Sequence, residues 1–307
     1  MKRTDARKAP GAVAIKPSRG DRIFDVLNVV VLLLVFVFVM FPLIYTVSCS
    51  LSDPGMVVGG KIVLLPRKVT LIAYERVFKN QLLLSGYINT IVYTLLGTAI
   101  NLFLTTITAY PLSRRDFKAR RPITLLFTFT MLFSGGLIPT YLLVSSLGLV
   151  NTMWALLLPG AISAWNMLIM KNFFQSSIPL ELYESARIDG ADNIRILTSI
   201  VLPLSMPIIA VMVMYYGVSH WNSYFDALIY LNDRFKYPLQ LVMRSFFLNT
   251  DYAEQGAAGD ESGVTALLVA ETMKYAIIVV ASLPMLCLYP FLQRFFVKGV
   301  MLGAIKG

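Results

Sequence analysis

The chain has 307 residues, of which 57% are hydrophobic and only 14% are charged. A soluble domain carries about 25% charged residues, so this composition excludes a mostly ionic, water-facing surface. Lys and Arg outnumber Asp and Glu by 27 to 17. Because the basic residues flank long apolar runs, they indicate contact with an anionic membrane surface rather than with nucleic acid. The sequence therefore predicts an integral membrane protein.

Residues 1–22 form a basic segment without apolar periodicity, which is typical of a disordered or interfacial tail. A basic start before an apolar core is also how a signal peptide begins. The apolar run from Ile23 to Val47 is much longer than a signal-peptide core of about 7–15 residues, and no A-x-A cleavage site follows it. It is therefore predicted to be a retained first membrane helix, which opens a membrane domain over residues 23–307.

Five further apolar runs are each close to the ~20 residues that a helix needs to cross ~30 Å of hydrocarbon. The predicted fold class is thus all-α and integral to the membrane, with about six transmembrane helices. Gly135, Gly136 and Pro139 interrupt the third span and predict a kink there. The segment Tyr74–Phe78 suits a short helix on the outer surface. The five runs are Gly86–Tyr110, Ile123–Ser146, Met153–Phe174, Leu204–Leu231 and Thr272–Phe296.

The distribution of Lys and Arg among the loops predicts the orientation, since cytoplasmic loops are enriched in both. Residues 1–22 carry seven basic residues and residues 111–122 carry five. Both termini, together with residues 175–203, are therefore predicted to be cytoplasmic. Residues 51–85 are assigned to the outside, although that loop is itself basic.

The most informative segment covers residues 179–207, between the fourth and fifth predicted spans. Pro179 suits a first helical position, where its missing N–H matters little. Gly190 can supply a left-handed helix stop, and Asp192 can cap the helix that follows. Two further prolines then interrupt the chain as it re-enters the membrane. The pattern predicts a compact knob, residues 179–203, made of two short helices around a turn.

The knob resembles the coupling motif of bacterial ABC importer permeases, which is written E-A-A-x-x-x-G. The matching residues are Glu184, Ser185, Ala186 and Gly190, and Ser185 stands where the family has a second alanine. Both residue types are small, so this departure is mild. Downstream, Leu202–Pro207 matches the family pattern L-P-L-x-x-P.

The resemblance extends over nearly the whole chain, from about Phe24 to Gly307. It is closest to the second permease subunit of carbohydrate importers of the maltose and multiple-sugar type. The stretches Phe133–Pro139 and Val297–Gly307 look like the branch that handles larger or acidic oligosaccharides, including alginate-type uronides. A permease of this family for a non-sugar solute is the alternative.

This resemblance implies a type I ABC importer permease fold in the cytoplasmic (inner) membrane of a bacterium, with this chain forming half of a translocation pathway. The implied partners are a second homologous permease, two ATPase subunits, an extracytoplasmic solute-binding protein and membrane lipid. ATP and Mg would be bound by the ATPase subunits, because this chain has no G-x-x-x-x-G-K-[ST] motif. No cofactor, catalytic residue, metal site or nucleic-acid contact is expected in this chain.

In this family the coupling helices, here about residues 176–203, dock into the ATPase subunits and transmit their motion to the pore. Small residues permit close docking, and carboxylates can accept hydrogen bonds from the partner. An amphipathic interfacial helix without a partner is the alternative. The residues that the resemblance assigns to coupling are Glu181, Glu184, Ser185, Ala186, Asp189, Gly190 and Ala191.

Polar residues within the spans are costly and usually face protein or a water-filled cavity. Asn89, Tyr93 and Asn101 share one face of the second span. They either line a sugar passage or form hydrogen bonds between helices, and the second interpretation is favoured. Aromatic and amide groups in the fourth and fifth spans suit sugar binding, although an interfacial aromatic belt explains them equally well. These further passage candidates are Trp165, Asn166, Tyr215, Tyr216, His220, Trp221, Asn222 and Tyr224.

Two other classes of protein are disfavoured. A secondary transporter needs coupling carboxylates within its spans, and only Asp226 and Glu271 lie near one. A membrane enzyme would need a Ser-His-Asp, HExxH or paired-carboxylate pattern, and none appears.

Overall fold

A computed structural model describes residues 18–248 and 263–304, and it confirms the all-α fold class. Most of the predicted basic tail, residues 1–17, lies outside the described residues, as do residues 305–307. In chain order the helices are α1 (Arg19–Ser50), α2 (Pro54–Val58), α3 (Ile72–Lys79), α4 (Gln81–Ser113), α5 (Arg120–Leu132), α6 (Leu137–Ser146), α7 (Trp154–Leu157), α8 (Ala164–Ser177), α9 (Leu180–Ile188), α10 (Asn193–Ile196), a π-helical turn (Leu197–Val201), α11 (Leu202–Leu204), α12 (Met206–Trp221), α13 (Phe225–Tyr230), a 3₁₀ turn (Arg234–Lys236), α14 (Leu239–Leu248) and α15 (Gly263–Ala304).

The first helix begins at a capping box and is almost entirely exposed. Ser18 Oγ accepts a hydrogen bond from the Asp21 backbone N–H, and the Asp21 carboxylate accepts one from the Ser18 N–H. Both bonds satisfy groups that the first turn would otherwise leave unpaired. The apolar side chains of α1 face outward, and α1 packs against α15. A helix with an apolar exterior of this length suits hydrocarbon rather than water.

Three helices are long and apolar enough to cross a membrane: α1, α4 and residues Leu267–Pro290 of α15. Two further pairs pass the same test but are bent. The helices α5 and α6 meet at 114°, and Asn193–Leu204 meets Met206–Trp221 at 82°. By length and composition alone, the described residues therefore offer three spans, or five if each bent pair is one span.

The third and fourth predicted spans are less continuous than the sequence prediction supposed. The kink predicted near Gly135 is a complete break, because Gly136 adopts a φ of +89° and lets the chain turn before α6 begins. The prediction of one helix from Met153 to Phe174 is wrong. The chain forms α7 and α8 around a non-helical stretch that contains Pro159 and Gly160, where the proline cannot donate a backbone hydrogen bond.

The fifth predicted span, Leu204–Leu231, is also shorter than expected. Its helix α12 ends at Trp221, and residues 222–224 separate it from α13. The backbone N–H of Asn222 closes the last turn by donating to Val218 O at 3.1 Å. The predicted short helix near Tyr74 is confirmed as α3.

The core is arranged around α4, which packs against α8, α12 and α14. One buried apolar cluster joins α4 to α8, α9 and α12, and includes Phe174, Met170 and Met212. A second cluster joins α3, α14 and α15 to the other half of α4. The same long helix therefore connects the knob at one end with the α3–α14 region at the other.

Candidate coupling site and intramembrane polar groups

The first part of the knob consists of α9 and α10, joined by a tight left-handed turn. Helix α9 begins after Pro179 and ends at Ile188. Gly190 follows with a φ of +79°, a conformation that residues with a Cβ rarely adopt. Asp192 then caps α10 by accepting a hydrogen bond from the Arg195 backbone N–H at 2.8 Å. The predicted pair of helices, the glycine stop and the cap are all confirmed.

The two faces of α9 have different surroundings. Tyr183 and Ala186 are buried in the core cluster that joins α4, α8 and α12. The Ser185 hydroxyl is held on its own helix, because it donates to Glu181 O at 2.9 Å. Ala186 therefore fixes the knob to the protein, whereas most of the other predicted coupling residues remain available to a partner. The exposed ones are Glu181, Glu184, Ser185, Asp189 and Gly190, and Ala191 is half-buried.

Two isoleucines on the knob were missed by the sequence analysis. Ile188 is 86% exposed and Ile194 is 71% exposed, on either side of the Gly190 turn. Large apolar side chains presented this fully on a polar projection are typical of a protein contact. Their positions on the two short helices that flank Gly190 were the available signal.

A network of charged side chains ties the knob to the end of α4. The Arg114 guanidinium lies over the Tyr183 ring at 4.3 Å from its centroid. Its Nε and Nη2 atoms each donate to a carboxylate oxygen of Asp116 at 3.1 Å. Arg187 of α9 donates to the same carboxylate. Planar, bidentate pairs of this kind fix geometry as well as charge, so Asp116 clamps α9 to the loop after α4.

These contacts shift the ionisation of the residues involved. The hydrogen bond from Arg114 holds the pKa of Asp116 well below its usual range, and Arg187 acts in the same direction. Burial raises the pKa of Tyr183 to about 12, so its ring stays neutral beneath the guanidinium. Sequence reasoning missed this network because Arg114 and Asp116 are about 70 positions from Tyr183 and Arg187 in the chain.

A cavity of about 770 Å³ lies between the ends of α4 and α8 and the start of α9. It is lined by Arg115 and Arg120 as well as by the clamp residues, and Glu181 and Glu184 lie on its α9 side. The knob is therefore held by the buried face of α9 and by the pairing of Asp116 with Arg114 and Arg187. The cavity separates the start of α9 from the ends of α4 and α8.

The polar face of α4 makes hydrogen bonds within the chain. Asn89 Nδ2 donates to Phe235 O at 2.6 Å and to Tyr237 O at 3.1 Å. The Tyr93 hydroxyl donates to Lys236 O at 2.9 Å. These bonds hold the 3₁₀ turn and Tyr237 against α4, and the roles of both side chains in a passage or in helix–helix packing stay predictions.

Further along the same face, α4 is joined to α12. The Asn101 side chain donates from Nδ2 to Gly160 O at 3.0 Å, and its Oδ1 lies 2.8 Å from His220 Nε2. Gly97 lies beside this pair, and a Cβ there would come within 2.5 Å of the His220 ring. The helices α4 and α12 and the stretch after α7 therefore meet at one polar contact.

The remaining passage candidates divide by exposure. The buried ones are committed to internal contacts: Tyr216 OH lies 2.6 Å from Thr105 Oγ1, and Trp221 Nε1 donates to Ala281 O at 3.1 Å. Asn166 is half-buried near the start of α8. The exposed candidates, which remain open to cargo or to a partner, are Trp165, Tyr215, Asn222 and Tyr224.

Asn151 is a structural residue that the sequence analysis did not single out. It has a φ of +60°, and its Oδ1 accepts hydrogen bonds from the N–H groups of Asn232 and Asp233, both at 3.1 Å. Its carbonyl accepts another from Lys236 Nζ at 2.9 Å. Asn tolerates the left-handed region better than most residues, so this position joins two loops that are distant in sequence.

A helical, multi-pass membrane protein with a clamped projecting knob fits the class of membrane transport subunits. The family described as "binding-protein-dependent transport system inner membrane component" matches residues 101–302. The chain is 43% identical over 289 residues to the polygalacturonan/rhamnogalacturonan transport system permease protein YtcP of Bacillus subtilis (strain 168), covering 94% of this chain and 99% of that protein. It is 42% identical over 290 residues to Protein LplC of the same organism, covering 94% and 97%.

One solved structure is similar over almost its full length. It is a chain from the crystal structure of a bacterial ABC transporter involved in the import of the acidic polysaccharide alginate. The TM-score is 0.83 at 33% identity, and the match covers 92% of this chain and 99% of that one. The chain described here belongs to the family of binding-protein-dependent transport system inner membrane components.

Family membership has direct consequences for what the chain does. It is a multi-pass permease subunit of an ABC importer with the type I permease fold, and it is a transport subunit rather than an enzyme. A permease of this family works with a solute-binding protein, with ATPase subunits and with a permease partner.

Proposed function

We propose that this permease carries acidic oligosaccharides of the uronide type. The observation that supports this proposal is similarity over 94% of the chain to a polygalacturonan/rhamnogalacturonan permease, together with the match to a chain of the alginate importer. Charge is consistent with it. Residues 51–85, proposed to lie on the outer side, carry five Lys or Arg and two Asp or Glu. Basic residues at the outer entrance of the pathway attract an anionic oligosaccharide and increase its rate of association.

The knob is the proposed site of coupling to the ATPase subunits, on the cytoplasmic side of the membrane together with both termini. The clamp around Asp116 makes α9 move with α4, so a displacement of the knob reaches the spans. The exposed Ile188 and Ile194 supply apolar contact area, while Glu184 and Asp189 supply hydrogen-bond acceptors. Two permeases would form one pathway above two ATPase subunits, which bind the ATP and Mg.

Reconstituted transport provides the test of the cargo. The complete complex is placed in proteoliposomes with its solute-binding protein, and ATP hydrolysis is measured with galacturonate oligomers and with neutral galactose oligomers of the same length. We expect only the acidic oligomers to stimulate hydrolysis. Equal stimulation by neutral oligomers would contradict the acidic preference. Stimulation only by a solute that is not a sugar would contradict the carbohydrate assignment.

A further inference from the structure

A second basic surface lies between α5 and α8, next to the larger cavity beneath the knob. It is a groove of about 400 Å³. On α5, Arg120, Thr124 and Thr128 are four residues apart and therefore share one face of the helix. On α8, Lys171 and Gln175 have the same spacing, and all five residues line the groove. The facing sides of α5 and α8 therefore place cations and hydrogen-bonding side chains around the same groove.

The charges in this groove are all positive. Arg120, Arg121 and Lys171 line it together, and Arg120 and Lys171 repel each other electrostatically. Within residues 18–248 and 263–304, no carboxylate lines the groove or forms an ion pair with any of these three cations. Asp116, Glu181 and Glu184 line the neighbouring cavity, which Arg120 also lines, and Asp116 is already paired with Arg114 and Arg187. Three clustered cations that form no ion pair with a described residue favour the binding of an anion, for which Arg is well suited.

One hydroxyl on the groove side of α5 also points to a ligand that can accept a hydrogen bond. The buried Thr124 hydroxyl has no hydrogen-bond partner among the described residues, whereas the Thr128 hydroxyl donates to Thr124 O at 2.9 Å. An unpaired buried hydroxyl is costly unless something accepts from it.

The groove continues into an apolar surface. Leu125 lines its edge and is 70% exposed, and Leu126 and Phe129 on the same helix also face outward. On the opposite side of α5, Ile123 and Phe127 pack against the core, which fixes the position of the helix. A ligand that fills the groove and follows α5 must therefore combine an anionic head with hydrocarbon.

We infer that this groove binds the phosphate-bearing headgroup of an anionic membrane phospholipid. Arg120, Arg121 and Lys171 contact its phosphate oxygens, and the Thr124 hydroxyl, which donates to no described residue, turns to donate to one of these oxygens. The acyl chains lie along Leu125 and the exposed side of α5. Basic pockets between membrane helices recognise acidic headgroups by this combination of charge and position.

Native mass spectrometry of the complete transporter, purified in detergent, tests this inference. Phosphatidylglycerol and phosphatidylcholine are titrated separately, and the binding of each lipid is measured. We expect a preference for phosphatidylglycerol that Arg120→Gln with Lys171→Gln lowers about ten-fold or more. The control Lys61→Gln with Lys79→Gln removes the same charge elsewhere and should leave the preference unchanged. No preference in the unaltered protein, or an equal loss in both double variants, would overturn the assignment.

Thr124→Val keeps the assignment testable if the charge variant fails to assemble. It removes a hydroxyl that bonds to no described residue. We therefore expect phosphatidylglycerol binding to weaken several-fold while the melting temperature of the complex stays the same. Unchanged phosphatidylglycerol binding would count against the site. Inorganic phosphate distinguishes a lipid from a free anion. Failure of phosphate to displace the lipid supports the inference, whereas equally tight phosphate binding overturns it. Lipid that binds only after the ATPase subunits are removed would assign the groove to a protein contact instead.

Discussion

Gly97 marks a place where α4 and α12 approach too closely for any side chain. A Cβ on Gly97 would lie 2.5 Å from the His220 ring, whereas a Cβ on Gly217 would meet only Thr98 Oγ1, at 3.8 Å. His220 also contacts Asn101, which in turn holds Gly160. A displacement of the imidazole therefore disturbs three segments of chain at once.

We expect Gly97→Ala to destabilise the protein by about 1–3 kcal/mol, the usual range for overpacking a well-filled site. Gly217→Ala is the matched control and should change stability little. The measurement is the thermal unfolding of the purified complex. Adding His220→Ala to Gly97→Ala should recover part of the loss, and no recovery would show that the clash is elsewhere.

Gly190 illustrates a different requirement, because its surroundings are empty. Nothing lies within 4 Å of a Cβ built there, but its φ of +79° is costly for other residues. The cost of a substitution is therefore conformational, about 1–2 kcal/mol.

We expect Gly190→Val to reduce cargo-stimulated ATP hydrolysis more than it reduces assembly, since the strained turn reorients α9 relative to α10. Gly190→Asn should retain most of the activity, because Asn tolerates this conformation. Both variants are compared for subunit assembly and for stimulated hydrolysis. Full coupling in the valine variant would mean that the shape of the turn does not matter.

Among the helices, the contact between α4 and α9 carries the proposed coupling. Arg114 is buried and touches both Tyr183 and Asp116, whereas its neighbour Arg115 is exposed. Substituting the two arginines one at a time therefore distinguishes the effect of the Arg114 contacts from the effect of removing one positive charge.

We expect Arg114→Gln to lower cargo-stimulated hydrolysis by about five-fold or more, equivalent to ~1 kcal/mol of lost coupling. Arg115→Gln removes the same charge and should have little effect. Arg114→Lys should recover only part of the activity, because an ammonium group cannot form the bidentate pair with Asp116. Basal hydrolysis and assembly are measured alongside, and equal losses in both glutamine variants would contradict the clamp.

The pairing of Asp116 with Arg114 and Arg187 predicts that coupling is insensitive to mild acid. The pKa of Asp116 is lowered in the folded protein, so its contribution is present above the unfolded value of about 3.9 and disappears only as the pH falls through the lower folded value. Coupling that depends on the clamp should therefore be unchanged between about pH 5 and pH 8. Comparing the pH profiles of the unaltered protein and of Asp116→Asn would reveal any departure.

For the molecule as a whole, the orientation in the membrane can be tested with single cysteines. Ile188 on the knob and Leu65 in the loop after α2 are both strongly exposed. The native Cys49 and Cys287 are first replaced, since Cys287 is itself exposed. We expect a membrane-impermeant maleimide to label Ile188→Cys only in inverted vesicles and Leu65→Cys only in right-side-out vesicles. The reverse pattern would place the knob on the outer face and exclude contact with the ATPase subunits.

Local features were the part of this protein most open to prediction from its residues. Long apolar runs predict membrane helices because hydrocarbon leaves backbone groups no other partner. The turn at Gly190 and the cap at Asp192 depend on the chemistry of single residues, so both were predicted at the correct positions. The breaks at Pro159 and after Trp221 were missed, because the apolar runs on both sides were treated as continuous, although Pro159–Gly160 and Asn222–Ser223 are helix-breaking or polar pairs.

Other features were decided only when distant segments came together. Asp116 meets Arg187 across 71 positions, and Asn101 meets His220 across 119. No pattern along the chain specifies such pairs, since they depend on how α4 packs against α9 and α12. The residues alone therefore determined the class of protein and the knob, whereas tertiary packing decided which face of the knob is buried and which polar groups remain open to a partner or cargo.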